Sequence, residues 1–220
     1  MSHPRHRRIA AAAAALAACA LLSACSRDAA SSPASPSATP ASVQWPALDV
    51  MLADRVLGSA AAPVTMIEYS SLTCPHCASF HATTLPQIKA AYLDTGKVRF
   101  VYRDFPLDNA AISAAMVARC SGDRFFEVID RLYQTQSSWT SNSSTTAGLK
   151  ATVAPIGMTA AEVDACLALT DLRNGILAMK ATGQTQHAVS GTPTFIIGGQ
   201  TLVGAWPFAN FDTLLQSLLH

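Results

Sequence analysis

Cys74-Pro75-His76-Cys77 places two thiols one helical turn apart, where a disulfide can close between them and open again. The preceding run Val64 to Tyr69 reads as a buried strand. Pro75 suits the first turn of a helix, because its missing N–H would have no intrahelical partner there. Cys74 then sits at a helix N-terminus, where the macrodipole and open backbone N–H groups favour a thiolate over a thiol. A protonated His76 would add positive charge beside the same sulfur. Cys74 is therefore expected to be the exposed nucleophile and good leaving group, with Cys77 its buried, unreactive partner.

Other uses of the motif fit less well. A structural zinc site wants a second ligand pair, and the chain has no other CxxC and no HxxxH. Covalent haem attachment needs a histidine directly after the second cysteine, and residue 78 is Ala. No metal or other cofactor is called for. His81, one turn beyond Cys77, is a lone helical histidine and is assigned no role.

The ends of the chain speak to compartment. Met1 to Arg8 carries three arginines and no acid, and an alanine-rich apolar run follows, too short to span a bilayer comfortably. Residues 1–25 are laid out as an export signal ending in Leu22-Ser23-Ala24-Cys25, which is similar to a bacterial lipoprotein signal with Cys25 as the acylated residue. A second match ends at Cys19, and an ordinary cleaved signal without lipid is the further alternative. Of six cysteines, processing at Cys25 leaves four that can form two pairs. Cys74 with Cys77 is one, and Cys120 with Cys166, both in a helical region, is expected as a structural second. Residues 26–46 are a flexible linker dominated by Ser, Ala and Pro, with too little apolar surface to fold alone.

Loss of the three signal arginines leaves twelve bases against fourteen acids. No basic face or phosphate-cradling glycine motif is present, so no nucleic-acid or nucleotide partner is expected. Val64 to Tyr69, the CPHC helix and Val98 to Tyr102 form a βαβ unit, with Asp94 to Lys97 as the returning turn. Pro86 falls within the helical pattern of Phe80 to Tyr92 and should kink or break it. Helices follow over Ala110 to Arg119, Asp123 to Gln136, Ala147 to Ile156 and Thr159 to Leu169. A hairpin, Thr194 to Ile197 and Thr201 to Val203, turns at Gly198-Gly199, and a last helix covers Phe208 to Leu219.

Three motifs in this order, Tyr69 to Cys77, Tyr102 to Asp108 and Gly191 to Phe195, make the chain resemble the DsbA family of thiol-disulfide oxidoreductases over about Asp54 to His220. The resemblance implies an α/β thioredoxin fold with an inserted helical domain: residues 47–107 and 188–220 form the thioredoxin-like part and 108–187 the insertion. It further implies a cis Thr192-Pro193 bond beside the active-site cysteines, where an extended substrate peptide would bind. Glu68 takes the place of a buried acid beneath the disulfide, with a role in moving the proton of Cys77; an exposed edge-strand Glu is the alternative. Pro75 and His76 match strongly oxidising members. The implied function is introduction of disulfides into reduced exported proteins on the periplasmic side of a bacterial envelope. A membrane redox partner would recycle the couple, and a lipid anchor at Cys25 would hold the domain. A reductase or isomerase, or a tethered binding lipoprotein without turnover, remain the alternatives.

Overall fold

The computed structural model describes residues 43–220. Cys19, Cys25 and most of the linker lie outside the described residues. After a short helix α1 (Leu48–Leu52), five strands form one mixed sheet in the order β1-β3-β2-β4-β5: β1 (Arg55–Leu57), β2 (Val64–Ser70), β3 (Val98–Asp104), β4 (Thr194–Ile197) and β5 (Gln200–Val203). Central β2 runs parallel to β3, with Glu68 opposite Tyr102, and antiparallel to β4, with Glu68 opposite Phe195. β1 had no clear signal in the sequence, since three residues on an edge show almost no alternation.

The two-residue period of β2 sorts its side chains by face. Met66, Glu68 and Ser70 share one face, while Ile67 and Tyr69 point to the other. On the first face Phe80, Phe195 and Phe211 pack with ring centroids 4.6 and 4.9 Å apart in succession, and seat the cysteine-bearing helix on the sheet. On the second, Tyr69 meets Phe105 edge to face.

The helix expected to kink or break at Pro86 does not end there. α2 (Pro75–Ser79) passes into a π-helical turn (Phe80–Thr84), then α3 (Leu85–Ile88), which carries Pro86, then a second π turn (Lys89–Leu93). Leu85 N–H bonds the Phe80 carbonyl five residues back. The widened turns absorb the missing proline donor and its ring without stopping the helix. Gly96, with φ of 71°, then turns the chain into β3.

Six helices lie between β3 and β4: α4 (Asn109–Cys120), α5 (Phe125–Gln134), α6 (Gln136–Thr140), α7 (Thr145–Val153), α8 (Ala160–Leu167) and α9 (Thr170–His187). Asp108 caps α4 by accepting from Ala111 N–H at 2.7 Å, and Thr159 with Glu162 forms a capping box on α8. The expected helix over Asp123 to Gln136 is divided among a 3₁₀ turn (Gly122–Arg124), α5 and the start of α6. α9 is the longest element, yet buries only Leu172, Ile176 and Gly183, too sparse a stripe to mark its bounds in the sequence. A disulfide joins Cys120 at the end of α4 to Cys166 in α8. Most buried side chains of these helices join those of the first face of the sheet in one core, with Phe125 of α5 packed at 5.5 Å on Tyr102 of β3, while Tyr69, Phe105 and Val189 form a second cluster. Buried Arg119 pairs with Asp104 of β3 and also bonds the Met51 and Ala53 carbonyls, tying α4, β3 and the end of α1 together.

Candidate active site

Cys74 is the N-cap of α2, in extended conformation with Pro75 directly after it. The loop that delivers it is held from several sides. Thr73 Oγ1 donates to Asp108 Oδ2 at 2.7 Å, Leu107 N–H donates to Ser71 Oγ, and Gln136 Nε2 donates to the carbonyls of Leu72 and Cys74 at 2.8 and 3.0 Å. The segment after β3 thus fixes the cysteine loop, which explains why those residues accompany CPHC. Gln136 had no signal in the sequence, because its contact depends on how α6 docks.

The Cys74 S–H points at the Thr192 carbonyl, 3.3 Å away, and the Thr192-Pro193 bond is cis. Cys74 is only 5% exposed, which corrects the expectation of an open thiol: the Thr192-Pro193 loop covers what the helix end alone would leave bare. Cys77 is fully buried, while Pro75 and His76 are exposed. Both thiols are free.

Their titrations are driven apart. Cys74 is lowered to about 5, first by the hydrogen bond from Cys77, against the opposing effect of burial, then by the Thr192 hydroxyl and the backbone N–H groups of Cys77 and His76. The Thr192 hydroxyl oxygen is buried without a partner while the thiol is protonated, so it is the spare donor for a thiolate. His76 acts here through its amide at the helix end. Cys77 is pushed far up, chiefly by burial, then by its bond to Cys74 and the charge of Glu68.

Glu68 is completely buried in the central strand, not on an edge facing water. Its Oε1 accepts from Ser70 Oγ at 2.7 Å, and its Oε2 lies 2.9 Å from His81 Nε2. Ser70 Oγ also lies 2.8 Å from the Tyr133 hydroxyl. A buried carboxyl among apolar side chains needs such partners. His81, assigned no role from the sequence, proves to be the side-chain partner of Glu68. Its place four residues after Cys77 put it on the inner helix face; what it meets there depends on the sheet. Cys120 and Cys166 lie in the helical region, separate from this constellation. Among the described residues no helix is long and apolar enough to cross a membrane, and no group of three or more His, Cys, Asp or Glu could hold a metal ion.

A family described as Thioredoxin matches residues 51–217. A Rickettsia bellii protein whose provisional name is protein-disulfide oxidoreductase is 32% identical over 149 residues. That match covers 66% of this chain and 57% of the relative, so the chain spans little more than half of that protein's length. The crystal structure of Wolbachia pipientis alpha-DsbA1 superposes with a TM-score of 0.70 at 28% identity, covering 76% of this chain and 90% of that one. The crystal structure of a protein-disulfide isomerase from Novosphingobium aromaticivorans gives a TM-score of 0.68 at 26% identity, with 76% and 97% covered. With the cysteine pair at a helix start, the cis-proline loop against it and helices inserted between β3 and β4, the chain belongs to the thioredoxin family as a DsbA-like, thioredoxin-fold protein.

Proposed function

We propose that the protein is a thiol-disulfide oxidoreductase that introduces disulfides into reduced exported proteins through Cys74 and Cys77. The observation that carries this reading is the opposite displacement of the two thiols, Cys74 to about 5 and Cys77 far above the free-cysteine range. At pH 7 a thiol titrating near 5 is about 99% thiolate. Stabilising that thiolate favours the reduced couple, and a couple favoured in its reduced form is an oxidant.

In this reading a substrate thiolate attacks Cys74 in the disulfide form, and the Cys74–Cys77 bond breaks. The electron pair goes to Cys77, which takes up a proton with the help of Glu68. A second substrate thiol then attacks the mixed disulfide, and Cys74 leaves as its stabilised thiolate while the substrate departs oxidised. The backbone of Thr192 and Pro193 would pair with the substrate peptide and ask little of its side chains. Pro75 starts the helix at N1, and His76 presents its amide to the sulfur. Cys120 and Cys166 serve structure alone.

The organisation proposed around this domain is a signal over residues 1–25, acylation at Cys25 and a tether over 26–46, placing it on the periplasmic side of a bacterial envelope with a membrane protein as recycling partner. Residues 47–107 with 188–220 are read as the thioredoxin-like part and 108–187 as the insertion. Equilibration with glutathione tests the direction: an oxidase couple is expected to stay largely reduced where the glutathione pool is mixed. A couple as reducing as the ordinary structural disulfides would instead support the reductase or isomerase reading, which the isomerase name of the Novosphingobium protein also favours. No turnover of any dithiol peptide would leave only a binding module. Glu68→Gln is expected to slow exchange and change its pH dependence; an unaltered pH profile would remove Glu68 from the proton's route.

A further inference from the structure

His81 takes no part in sulfur chemistry, yet it is connected to it. Its side chain is 2% exposed, its Nε2 meets Glu68 Oε2 at 2.9 Å, and its ring lies 4.5 Å from that of Tyr133. Nδ1 is buried and has no hydrogen-bond partner among the protein groups. Half of a buried imidazole left unsatisfied is costly, and a buried polar atom without a partner calls for an explanation. The surroundings supply one: His81 lines a cleft of about 420 Å³ together with Ala78, Pro86, Tyr133 and the exposed Asp130. This space is large enough for water, and Asp130 gives it a polar wall.

On the inner side of His81 the contacts lead to the reactive pair. Ser70 Oγ donates to Glu68 Oε1 at 2.7 Å, and a hydrogen bond from the same hydroxyl would favour the Cys77 thiolate. Ser70 has one hydroxyl proton, so while that proton goes to Glu68 its oxygen can accept from Cys77. We propose that Ser70, Glu68 and His81 form a proton path between Cys77 and the Asp130 cleft, in which His81 is the positioning residue that exchanges the proton with solvent at Nδ1. The proposal deepens, and rests on, the reading of Cys74 and Cys77 as an exchange couple.

Protons and electrons balance across the transfer. In the disulfide form Glu68 is a neutral carboxyl with its proton on Oε1, and His81 is neutral with its proton on Nε2. A substrate thiolate bonds to Cys74 Sγ, the Cys74–Cys77 bond breaks, and its electron pair passes to Cys77 Sγ. Cys77 takes the Ser70 proton, Ser70 takes the proton of Glu68 Oε1, and His81 takes a proton from the cleft at Nδ1. The pair finishes as carboxylate and imidazolium. It is net neutral before and after, so no uncompensated charge is left in the core at either end. Reoxidation runs the same transfers backwards. Imidazole suits the outer station, because its ordinary titration lies close to neutrality and the proton is readily given up and regained. The groups that face it are Glu68 from β2, Tyr102 from β3, Asp130 and Tyr133 from α5, Cys77 from α2, and Lys89 across an adjoining cleft that His81 and Asp130 also line.

The full chain carries the test. ¹⁵N NMR of wild-type protein at pH 7 is expected to find His81 protonated on both nitrogens in the reduced form and on Nε2 alone in the oxidised form. Identical protonation in the two redox states overturns the proposal, and this arm needs no variant to fold. His81→Gln keeps a hydrogen-bond donor for Glu68 but cannot pass a proton. It is expected to lower kcat for oxidation of a dithiol peptide by about 100-fold, with KM unchanged. Imidazole added to His81→Gly should restore part of the rate through the cleft. Full activity in His81→Gln would mean that the histidine only neutralises Glu68, which also overturns the path. Wild-type protein without any dithiol turnover would fail the exchange couple itself, whereas wild-type turnover with an unaffected His81→Gln fails the path alone.

Discussion

The S–H of Cys77 and the amides that surround the Cys74 sulfur set a pH signature that stability measurements can read. In the unfolded chain a cysteine titrates near 8.5, whereas folded Cys74 titrates at about 5. An acidic group depressed in this way contributes stability that is fully present above the unfolded value and is lost as pH falls through the folded one. Cys77 acts oppositely and only at alkaline pH: its raised titration keeps it a thiol in the fold after the unfolded chain has ionised, which disfavours the fold above about 8.5. The reduced protein should therefore lose stability relative to the oxidised protein, which has no thiols to titrate here, between about pH 8.5 and 5. Urea unfolding of both forms at pH 7 and 4.5 checks it; a constant difference between the forms would contradict the displaced thiolate. The cysteine pair could be read from the sequence because its chemistry is local, with two thiols, a proline and a helix start within four residues. The partnership of Glu68 with His81 could not, since it depends on which face of β2 packs against which turn of the neighbouring helix.

Elements carry two further expectations. α9 crosses the sheet at Gly183, where an added Cβ would lie 2.7 Å from a ring carbon of Tyr69. A flexible side chain could move aside, but the aromatic ring is itself packed on Phe105. Gly183→Ala should destabilise by about 1–3 kcal/mol through overpacking, although alanine is the better helix former. Chemical denaturation measures this, and an unchanged midpoint would mean that α9 can shift away from the sheet. The Cys120–Cys166 bond closes a loop with a sequence separation of 46. Replacing both cysteines by alanine should cost up to about 4 kcal/mol in the chain-entropy account, with the Cys74 titration unchanged. A shift in that titration would give the bond a part in the redox site. At this scale the sequence was informative where caps and periodicity agreed, as in α4 and α8. It left the bounds open where a helix buries only a few residues, as in α9, and marked Pro86 as a disturbance without showing that π turns would carry the helix through it.

For the whole molecule the open matter is attachment. Cys25→Ala protein in a Gram-negative host is expected to move from the membrane fraction to the soluble periplasm, and wild-type protein that is already soluble and free of acyl mass would exclude lipidation while leaving the redox reading intact. The second disulfide reaches further still at this scale. In the proposed organisation a newly exported copy arrives with its cysteines reduced and must acquire, between α4 and α8, a bond of the same kind that the finished protein is proposed to make. Mature copies are then the nearest source of that oxidation for newcomers. Maturation of the population would feed on its own product, with a lag that shortens as finished protein accumulates.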